Sequence, residues 1–523
     1  MTFLKISPRK YQEEILKTCI EKNCLVVLPT GLGKTLIALM LTIERMKAFP
    51  GEKVVFLAPT KPLAEQQLNY FIKNLPELFG DIQLFTGSVK AEQRKKIWKT
   101  ADIIFSTPQC VANDLKKNLY SLEEVCLLIE DEAHRCMKNY DYNFLAKKYM
   151  QQSLHPRIIG LTASPGSETS KIKEICENLS IEEVELRTRD SPEVKQYLQE
   201  LTFEKVMIDL PKEFEKIRNS LLGIFQEYVE ELKGRRVLFG TPSKSELIRT
   251  QKKIMGSIAG GNKNFNSFLA ASACASAIKI QHALELIETQ TLASFNKYLK
   301  KLFSQAAKKE SRGVVKLVSK SGFNNAFIDS NEMLNKDIEH PKVKKIIELI
   351  LKESEKQENI RIIVFTQFRD TAALISKKIN ETKRLKSKVF VGQAKKAGSN
   401  GEDSSGLSQK EQKAIITEFS SGEINVICAT SIGEEGLDIP EVHAVIFYEP
   451  VPSAIRSIQR AGRTARLKEG KLIMLITKNT RDEAHFYVSK AREKSMHKAI
   501  DTVREQLSKN GPQEKSEFQK KLL

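Results

Sequence analysis

A short segment near the start of the chain combines small, hydroxyl and basic residues at a spacing that suits phosphate binding. Residues 29–35 read PTGLGKT and follow the apolar run 24–28. A glycine-containing loop that leads from a strand into a helix directs backbone N–H groups towards an anion, and the helix N-terminus adds a positive dipole end. Lys34 could then reach the β- and γ-phosphates of a nucleotide, and Thr35 could coordinate Mg²⁺. The alternative is a plain glycine turn, because Leu28 stands where the strict pattern has its first glycine.

Two adjacent acidic residues lie just beyond another apolar run. Asp131 and Glu132 follow residues 125–129. A carboxylate at the end of a strand can provide a second contact to Mg²⁺, which is the role predicted for Asp131, while Glu132 could orient and polarise an attacking water. Two acids after a strand could by themselves form an ordinary loop. Together with the phosphate-binding pattern they predict nucleotide hydrolysis.

Two arginines in the last fifth of the chain could stabilise a transferring phosphoryl group. Arg463 and Arg466 lie three residues apart within 459–466, so on a helix they share a face. Guanidinium groups suit a γ-phosphate whose charge spreads in the transition state, and one such arginine can be worth about 10³–10⁵ in rate. Taken alone, the segment could also be a basic surface helix.

These segments need a scaffold of parallel strands to bring them together. Residues 1–200 alternate strand-length apolar runs with amphipathic stretches, and the same rhythm returns near residue 340, which is typical of parallel sheets in α/β domains. The predicted strands are 24–28, 54–58, 103–106, 125–129, 158–162, 360–366, 388–391, 426–430, 444–448 and 471–477. Between the two halves, 214–232 and 270–302 are predicted as long helices. The expected domains are 1–204, 205–338, 339–490 and a charged C-terminal helix or tail over 491–523.

The charge balance is strongly basic. The 523 residues include 84 Lys and Arg against 65 Asp and Glu, a formal net charge of +19. Such a surplus favours a polyanionic partner such as nucleic acid, with a merely soluble lysine-rich surface as the alternative. Within 241–320, 14 Lys or Arg stand against 4 Asp or Glu. Either a nucleic-acid contact or a solvated helical face would explain this concentration.

The composition also argues against several classes of protein. No apolar run approaches the ~18 residues of a membrane span, and the first residues lack the apolar core of a signal peptide. The eight cysteines are scattered without any Cys-x-x-Cys pair, which indicates reduced, buried thiols rather than zinc ligands or disulfides. We therefore expect a cytoplasmic protein, associated with the nucleoid if the source is prokaryotic.

Taken together, the motifs resemble those of a superfamily 2 DEAH-box helicase. Ten of them follow the order of that family: Arg9 with Tyr11 and Gln12, the phosphate-binding loop, 58–63 (APTKPL), Thr86 with Gly87, 106–109 (STPQ), 131–134 (DEAH), 162–164 (TAS), 365–367 (FTQ), Ala429 and Thr430 with 433–438, and 459–466. The resemblance implies an α/β fold of two RecA-like parallel-sheet lobes, with a helical insertion between them and ATP in the cleft.

A closer likeness, over about residues 5–495, is to the archaeal Hef and eukaryotic FANCM branched-DNA helicases. It rests on DEAHR at 131–135 with Tyr140 and Tyr142, LTASPG at 161–166, FTQFRDTA at 365–372, FVGQ at 390–393, GEEGLDIP at 433–440 and YEPVPS at 448–453. The helical insertion belongs to that group but also to RNA-sensing helicases. The likeness is to the helicase portion only, since we find no counterpart of the nuclease domain of many Hef proteins.

The resemblance implies roles for individual residues. Arg9 and Gln12 would contact adenine, and Thr162 and Ser164 would couple the cleft to the bound strand. Arg463 and Arg466 of the second lobe would complete the site when the lobes close. The implied nucleotide-binding residues are Arg9, Gln12, Thr30, Gly31, Leu32, Gly33, Lys34, Thr35, Gly436 and Asp438, with ATP and Mg²⁺ as cofactors and Thr35 and Asp131 as metal contacts. The implied catalytic residues are Lys34, Asp131, Glu132, Gln459, Arg463 and Arg466. The implied nucleic-acid contacts are Thr60, Lys61, Thr86, Gly87, Thr107, Gln109, Thr366, Gln367, Gln393 and Thr430.

One departure from the family pattern concerns the acidic motif. Glu130 stands where the family usually has an apolar residue. Because side chains alternate along a strand, we expect Glu130 to face away from Asp131.

The function predicted on this basis is an ATP-dependent helicase or translocase that remodels branched DNA. We expect it to move 3′ to 5′, to act in replication-fork repair, and to hold the duplex arm with its basic insertion. Two alternatives stay open: an RNA-directed ATPase related to double-stranded RNA sensors, and an ATP-gated nucleic-acid clamp that does not unwind.

Overall fold

The protein is built from two parallel sheets and a bundle of helices that separates them in the chain. The computed structural model describes residues 6–76, 79–138, 140–198, 201–261, 264–356, 359–392, 406–430, 440–453 and 470–510. Within this part of the chain every strand pairing of both sheets is parallel. The expected α/β fold with two sheet-containing lobes is confirmed.

The first lobe contains seven described strands. They are β1 (Cys24–Val27), β2 (Lys53–Leu57), β3 (Ile82–Phe85), β4 (Ile103–Ser106), β5 (Val125–Asp131), β6 (Ile158–Thr162) and β7 (Glu183–Leu186). The helices are α1 (Lys10–Glu21), α2 (Lys34–Ala48), α3 (Lys61–Asn74), α4 (Ala91–Thr100), α5 (Pro108–Lys116), α6 (Asp141–Gln152), α7 (Thr169–Asn178) and α8 (Pro192–Lys195). The strand order is β3-β4-β2-β5-β6-β1-β7.

The inner strands of this sheet are the ones that the apolar runs predict. β1, β2, β4, β5 and β6 are buried along their whole length, as expected for a parallel sheet covered by helices on both faces. The two edge strands, β3 and β7, are partly exposed and were not predicted. Their mixed polar and apolar residues do not form the continuous runs that mark an inner strand.

The second sheet has six described strands. They are β8 (Leu201–Ile208), β9 (Ile362–Phe365), β10 (Ser387–Phe390), β11 (Val426–Ala429), β12 (Ala444–Phe447) and β13 (Gly470–Thr477), in the order β10-β11-β9-β12-β13-β8. Its helices include α15 (Pro341–Ser354), α16 (Arg369–Glu381) and α17 (Gln409–Ser421). The capping box at Ser408 and Glu411 opens α17, in line with the Ser-x-x-Glu spacing.

The strand β8 corrects the expected domain limit at residue 204. That limit falls inside β8, which pairs with β13 along its whole length and forms an edge of the second sheet. The chain therefore enters the second lobe before it makes the helical bundle, so the bundle is an insertion within that lobe. The sequence concealed this because the exposed edge strand carries polar residues such as Glu204 and Lys205.

The insertion is a bundle of six described helices. They are α9 (Lys212–Gly234), α10 (Lys244–Ala259), α11 (Phe265–Thr289), α12 (Leu292–Ala307), α13 (Arg312–Val318) and α14 (Ser321–Asn335). The single helix expected over 270–302 is in fact two. Thr291 caps α12 by accepting a hydrogen bond from the Ser294 amide, and the Glu339 carboxylate accepts from the amides of Leu292 and Ala293. These caps satisfy the donors that a helix start leaves free, and they stabilise the break.

Buried charges fasten the bundle to the second lobe. The buried ammonium group of Lys342, which pairs with Asp482 in the second lobe, also donates to the carbonyl of Thr289 at the end of α11 at 3.3 Å. Arg218 of α9 donates through Nη2 to the carbonyl of Asn479 in the second lobe at 2.8 Å, while its Nε donates to Glu288 within the bundle at 2.9 Å. The insertion and the second lobe are thus packed as one unit.

The last described helix, α18 (Arg481–Asn510), returns to the first lobe. It begins ten residues before the expected limit at 491, directly after β13. Its apolar residues Met496, Ala499, Ile500 and Val503 are buried in the core of the first lobe. α18 is therefore a packed bridge between the lobes, and residues 511–523 of the expected tail lie outside the described part of the chain.

All eight cysteines are buried and free of disulfide bonds, as the sequence indicated. Among the described residues, no helix is long and apolar enough to cross a bilayer.

Candidate active site

The phosphate-binding loop joins β1 to α2. Gly31 and Gly33 have φ values of 87° and 80°, a left-handed conformation that glycine adopts without strain. A Cβ atom on Gly33 would lie 2.3 Å from Nε2 of Gln12, so the close approach of α1 also requires glycine here.

The loop presents donors rather than acceptors. Among the described residues, no acceptor binds the amide N–H groups of Gly31 and Gly33. Nζ of Lys34 donates to the carbonyl of Leu28 at 2.8 Å, which holds the ammonium group across the loop. Free amides at a helix N-terminus beside a lysine fit a phosphate anion.

The first turn of α1 supports this loop. Tyr11 Oη and Gln12 Nε2 both donate to the carbonyl of Leu32, at 2.8 and 3.1 Å. Oε1 of Gln12 accepts from the amide of Arg9 at 2.8 Å, and Gln12 is buried. The guanidinium of Arg9 lies 5.1 Å from the ring centre of Tyr197. The adenine contact of Arg9 and Gln12 stays a prediction; the geometry shows that Gln12 positions the loop.

Asp131 stands at the end of β5, beside the loop. Its Oδ2 accepts from Nε2 of Gln67 at 3.1 Å and its Oδ1 from the Glu132 amide at 3.0 Å. Burial and the neighbouring Glu132 raise the pKa of Asp131 to about 7, although Lys34 and Gln67 oppose the shift. A divalent cation would stabilise the ionised form of such a buried carboxylate, so the donor set fits Mg²⁺.

Glu132 differs from Asp131 in its environment. Burial opposes its ionisation, but the hydrogen bond from His134 and the charges of Lys34 and Arg135 outweigh burial and lower the pKa of Glu132. His134 Nδ1 lies 3.2 Å from Oε2 of Glu132. The two adjacent carboxyls are thus pushed apart in acidity, the arrangement by which a site separates acid and base roles.

Glu130 faces the opposite side of β5, as expected. Asp131 points to Gln67 on α3, whereas Glu130 lies near Cys136. Glu130 is completely buried, and its carboxyl oxygens have no hydrogen-bond partner among the described residues. Burial raises the pKa of Glu130 well above its ordinary value, because a buried carboxylate is costly to ionise.

A chain of hydrogen bonds leads away from this acidic pair. His134 Nδ1 lies 3.2 Å from Oγ1 of Thr162, which accepts from the Ser164 amide at 3.1 Å. The Ser164 hydroxyl in turn donates to the sulfur of Met496 on α18. The TAS segment thus lies between the acidic motif and the bridging helix.

The predicted strand contacts of the first lobe follow β2, β3 and β4 at the same edge of the sheet. Thr60 and Thr107 are the residues immediately before α3 and α5. The exposed members are Thr60, Gly87 and Gln109, while Lys61 and Thr107 are half-buried and Thr86 is buried. Because carboxyl ends of parallel strands share one edge, these residues and the phosphate loop occupy one side of the lobe.

The predicted strand contacts of the second lobe that the structure describes are less exposed than those of the first lobe. Thr366 follows β9 and is fully buried, and Thr430 follows β11 and is nearly so. The backbone amide of Gln367 donates to the carboxylate of Glu449. A strand contact by the side chain of Thr366 would therefore need a rearrangement of this lobe, and this contact stays a prediction.

Comparison with known proteins identifies the family. Family models match over residues 9–172 (DEAD/DEAH box helicase), 213–357 (putative ATP-dependent RNA helicase, helical bundle) and 341–468 (helicase conserved C-terminal domain). The crystal structure of the Pyrococcus furiosus Hef helicase domain has 42% sequence identity and a TM-score of 0.70, with 92% of this chain and 98% of that chain covered. The chain belongs to the Hef family of ATP-dependent helicases.

Curated relatives of this Hef-family protein are longer than the chain. A putative ATP-dependent RNA helicase of Methanocaldococcus jannaschii is 36% identical over 504 residues, which cover 95% of this chain and 61% of the relative. The DEAD-box ATP-dependent DNA helicase Fancm of Drosophila melanogaster is 31% identical over 494 residues, which cover 90% of this chain and 33% of the relative. The chain thus spans less than two thirds of both proteins.

Several residues predicted from the Hef resemblance lie outside the described part of the chain. They are Gln393, Gly436, Asp438, Gln459, Arg463 and Arg466. Their roles stay predictions.

Sequence reasoning missed Gln67 near the acidic motif of this Hef-family site, and it used Tyr142 for the resemblance without assigning it a role. Gln67 binds Asp131 directly, and the Tyr142 hydroxyl donates to the Asp131 carbonyl at 2.7 Å. Gln67 interrupts the buried face of α3 formed by Leu63, Ala64 and Phe71. A polar residue on an otherwise apolar helix face was the available signal.

Proposed function

We propose that the chain is an ATP-driven 3′ to 5′ DNA helicase or translocase that remodels branched DNA in replication-fork repair. The observation that carries the proposal is the shared edge of the first sheet, where the phosphate loop, the acidic pair and the predicted strand contacts lie together. A motor needs this proximity, because ATP hydrolysis at the phosphate loop must alter how the neighbouring loops hold the nucleic-acid strand.

The nucleotide roles follow from the donors and charges of the loop. Lys34 and the amides of Gly31 and Gly33 hold the phosphates, and Thr35 with Asp131 holds Mg²⁺. The metal ion, when bound, neutralises charge that develops on the phosphate oxygens. Glu132, whose lowered pKa keeps it ionised near neutrality, accepts a proton from the attacking water.

The second lobe supplies the remaining groups when the lobes close. Gln459, Arg463 and Arg466 act on the γ-phosphate, with Gly436 and Asp438 in the nucleotide cleft and Arg9 and Gln12 at the adenine. Binding of ATP across both lobes favours the closed state, and hydrolysis removes that preference. A strand held by Thr60, Thr107 and Gln109 on one lobe and by Gln367, Gln393 and Thr430 on the other is then displaced stepwise. The short hydroxyl and amide side chains suit phosphate and sugar contacts, which do not depend on sequence.

The basic insertion holds the duplex arm of the fork. Its exposed lysines include Lys252, Lys253, Lys300, Lys301, Lys308 and Lys309, and none of them forms an ion pair with another described residue. Cations without an acidic partner are available to phosphates, and their contacts release counterions. The net charge of +19 acts in the same direction over the whole surface.

One experiment separates DNA from RNA as the substrate. ATP turnover is measured with single-stranded DNA, a DNA fork, a four-way DNA junction and duplex RNA at one salt concentration. The proposal expects the fork or junction to stimulate most, since both lobes and the insertion are then engaged. The match of the insertion to an RNA-helicase bundle favours duplex RNA as the second candidate, and greater stimulation by RNA would establish it instead.

A strand-displacement assay tests motor action and direction. Forks with a single-stranded 3′ or 5′ tail are incubated with ATP, and the expected result is displacement on the 3′-tailed fork. Intact hydrolysis without displacement or fork regression on either substrate would favour a nucleic-acid clamp.

A further inference from the structure

A buried arginine connects two of the loops that face the proposed DNA strand. Arg94 lies on α4 with only 7% of its surface exposed. Its Nε donates to Oδ2 of Asp114 at 2.7 Å, and its Nη2 donates to Oδ1 of the same carboxylate. The pair is bidentate, the geometry in which a guanidinium and a carboxylate bind most strongly.

The remaining nitrogen of the guanidinium reaches the loop before α4. Nη1 of Arg94 donates to the carbonyl oxygens of Thr86, at 3.3 Å, and Val89. These carbonyls lie at the two ends of a tight turn, in which the Val89 amide donates to Thr86 at 3.0 Å. A 2.6 Å hydrogen bond between the hydroxyls of Thr86 and Ser88 also closes the turn. Arg94 therefore occupies two of the carbonyl acceptors of the turn.

The exposed part of the turn carries two backbone donors. Gly87 and Ser88 are both exposed. Within the described part of the chain, neither backbone N–H has a hydrogen-bond acceptor. Because Arg94 engages the carbonyls of Thr86 and Val89, those two oxygens do not repel a polyanion, and the amides of Gly87 and Ser88 can donate to it.

Asp114 extends the connection to the second loop. It lies on α5, the helix that begins just after Thr107 and carries Gln109 in its first turn. Asp114 is almost fully buried, and it also accepts a hydrogen bond from the hydroxyl of Tyr120 at 3.0 Å. One guanidinium thus spans the distance between the turn after β3 and the helix after β4.

We propose that Arg94 is a positioning residue that fixes the turn at residues 86–90 and the start of α5 as one rigid strand-binding surface, with Ser88 as an additional strand contact. The inference rests on the proposed function, because it assumes that these loops hold a nucleic-acid strand. It assigns Arg94 no contact with the strand, since the side chain is buried beneath the turn.

The shape of the guanidinium explains why arginine stands here. Arg94 uses three nitrogens at fixed angles to reach one carboxylate and two carbonyls. Lysine carries the same charge on a single nitrogen and cannot make these hydrogen bonds at fixed angles. Arg94→Lys is therefore the variant that keeps charge while it loosens the turn.

The test compares Arg94→Lys with Tyr120→Phe, which removes the hydrogen bond from an uncharged hydroxyl to Asp114 and leaves the hydrogen bonds of the guanidinium group intact. ATP turnover without nucleic acid and the strand concentration for half-maximal stimulation are measured for both. Arg94→Lys should keep the basal rate and KM for ATP and raise the half-maximal strand concentration about tenfold, the loss expected for a misplaced contact to a charged group. Tyr120→Phe should change it less than about twofold.

The outcomes separate this inference from the proposed function. If nucleic acid stimulates the wild type and the Arg94→Lys variant equally, the positioning role alone is overturned. The same holds if the Arg94→Lys variant loses basal turnover and stimulation in parallel. A wild-type enzyme that no nucleic acid stimulates or binds overturns the proposed function and this inference together.

A second pair of variants tests the turn if Arg94→Lys folds poorly. Ser88→Asp and Thr100→Asp introduce the same charge at exposed positions before and at the end of α4. Ser88→Asp should weaken single-stranded DNA binding about tenfold through repulsion of the phosphate, while Thr100→Asp should have little effect. Equal effects of the two would overturn the strand contact at Ser88. Hydrogen exchange of residues 86–90 should also slow when DNA binds the wild type, and unchanged exchange would contradict the proposal.

Discussion

The hydroxyl of Ser164, in the TAS segment of the first lobe, donates a hydrogen bond to the sulfur of Met496, 332 positions later in the chain. The helix that carries Met496 starts beside Asp482, whose carboxylate is buried against Lys342 in the second lobe. It ends on the first lobe, where Arg504 lies 3.7 Å from Glu183. A second contact between the lobes joins Lys413 and Glu65 at 3.0 Å. The two lobes are thus linked through a packed helix as well as through any nucleotide between them.

Met496→Ala should loosen this link. The side chain is buried in the core of the first lobe, and truncation of a buried methionine costs about 2–5 kcal/mol in unfolding free energy. We expect a lower melting temperature and faster hydrogen exchange in the second half of α18. Val488→Ala, at a 40% exposed position of the same helix, is the control and should change little. Equal destabilisation by the two variants would contradict the buried anchor.

Lys34→Ala should stop ATP turnover and leave DNA binding in place. The ammonium group lies across the phosphate loop, whereas the predicted strand contacts lie on other loops. Loss of an electrostatic group of this kind lowers kcat by at least about 10²-fold. Steady-state hydrolysis and fluorescence anisotropy of labelled DNA give the two readouts, with Lys47→Ala at the exposed end of α2 as the control. A joint loss of binding and turnover would show that the assigned roles are not separable.

Glu132→Gln should keep nucleotide binding but slow the chemical step. The amide has nearly the same shape but cannot accept the proton of the attacking water, and removal of a general base costs about 10²–10⁴ in rate. Single-turnover hydrolysis isolates this step from product release. Glu130→Gln, on the opposite face of β5, serves as the matched control and should retain the rate. A Glu132→Gln enzyme with wild-type turnover would remove Glu132 from the mechanism.

His340 should make the protein less stable in mild acid. Burial and the nearby Lys342 ammonium lower the pKa of His340 from 6.5 to about 3. Between these two pH values the unfolded chain binds a proton at His340 that the folded protein does not bind. The free energy of unfolding therefore decreases as the pH falls from 6.5 towards 3, by at most about 1.4 kcal/mol per pH unit.

The matched variant for this effect is His340→Asn. The imidazole caps α15 by accepting from the Lys342 amide, and asparagine keeps such an acceptor without titrating. The difference in melting temperature between wild type and His340→Asn is measured at pH 7.5 and pH 5. The melting temperature of the variant should rise relative to that of the wild type when the pH is lowered from 7.5 to 5. A difference that does not change with pH would mean that His340 contributes nothing to the acid sensitivity.

Lys252→Gln combined with Lys253→Gln should weaken fork binding and reduce its salt dependence. Each phosphate contact to duplex DNA contributes about 0.9 to the slope of log K against log salt, so the slope should fall by up to about 1.8. The control replaces the exposed Lys383 and Lys498, outside the insertion, by glutamine. Binding constants are measured between 50 and 200 mM salt, a range in which phosphate contacts dominate the change. An unaltered slope would make the insertion a structural element only.

The sequence by itself determined the inner strands of the first lobe and the positions of the motifs that follow them. Buried parallel strands are continuous apolar runs, and the phosphate loop and the acidic pair follow two of them at fixed spacing, so β1, β2, β4, β5 and β6 and their motifs could be located without a structure. These signals are local, because each depends on a strand, a turn and the start of a helix within a few residues. The opposite orientations of Glu130 and Asp131 follow in the same way from strand alternation.

Only the tertiary structure decided which elements meet. Periodicity shows that a helix has a buried face, but not what that face packs against, so α18 read as a charged tail although its apolar residues complete the core of the first lobe. The edge strand β8 joined the second sheet for the same reason. The hydrogen bonds of Arg94, the Gln67 contact to Asp131 and the cap of α12 by Glu339 join residues 5 to 64 positions apart. Contacts at such separations are set by the packing of whole elements, and no local pattern of residues encodes them.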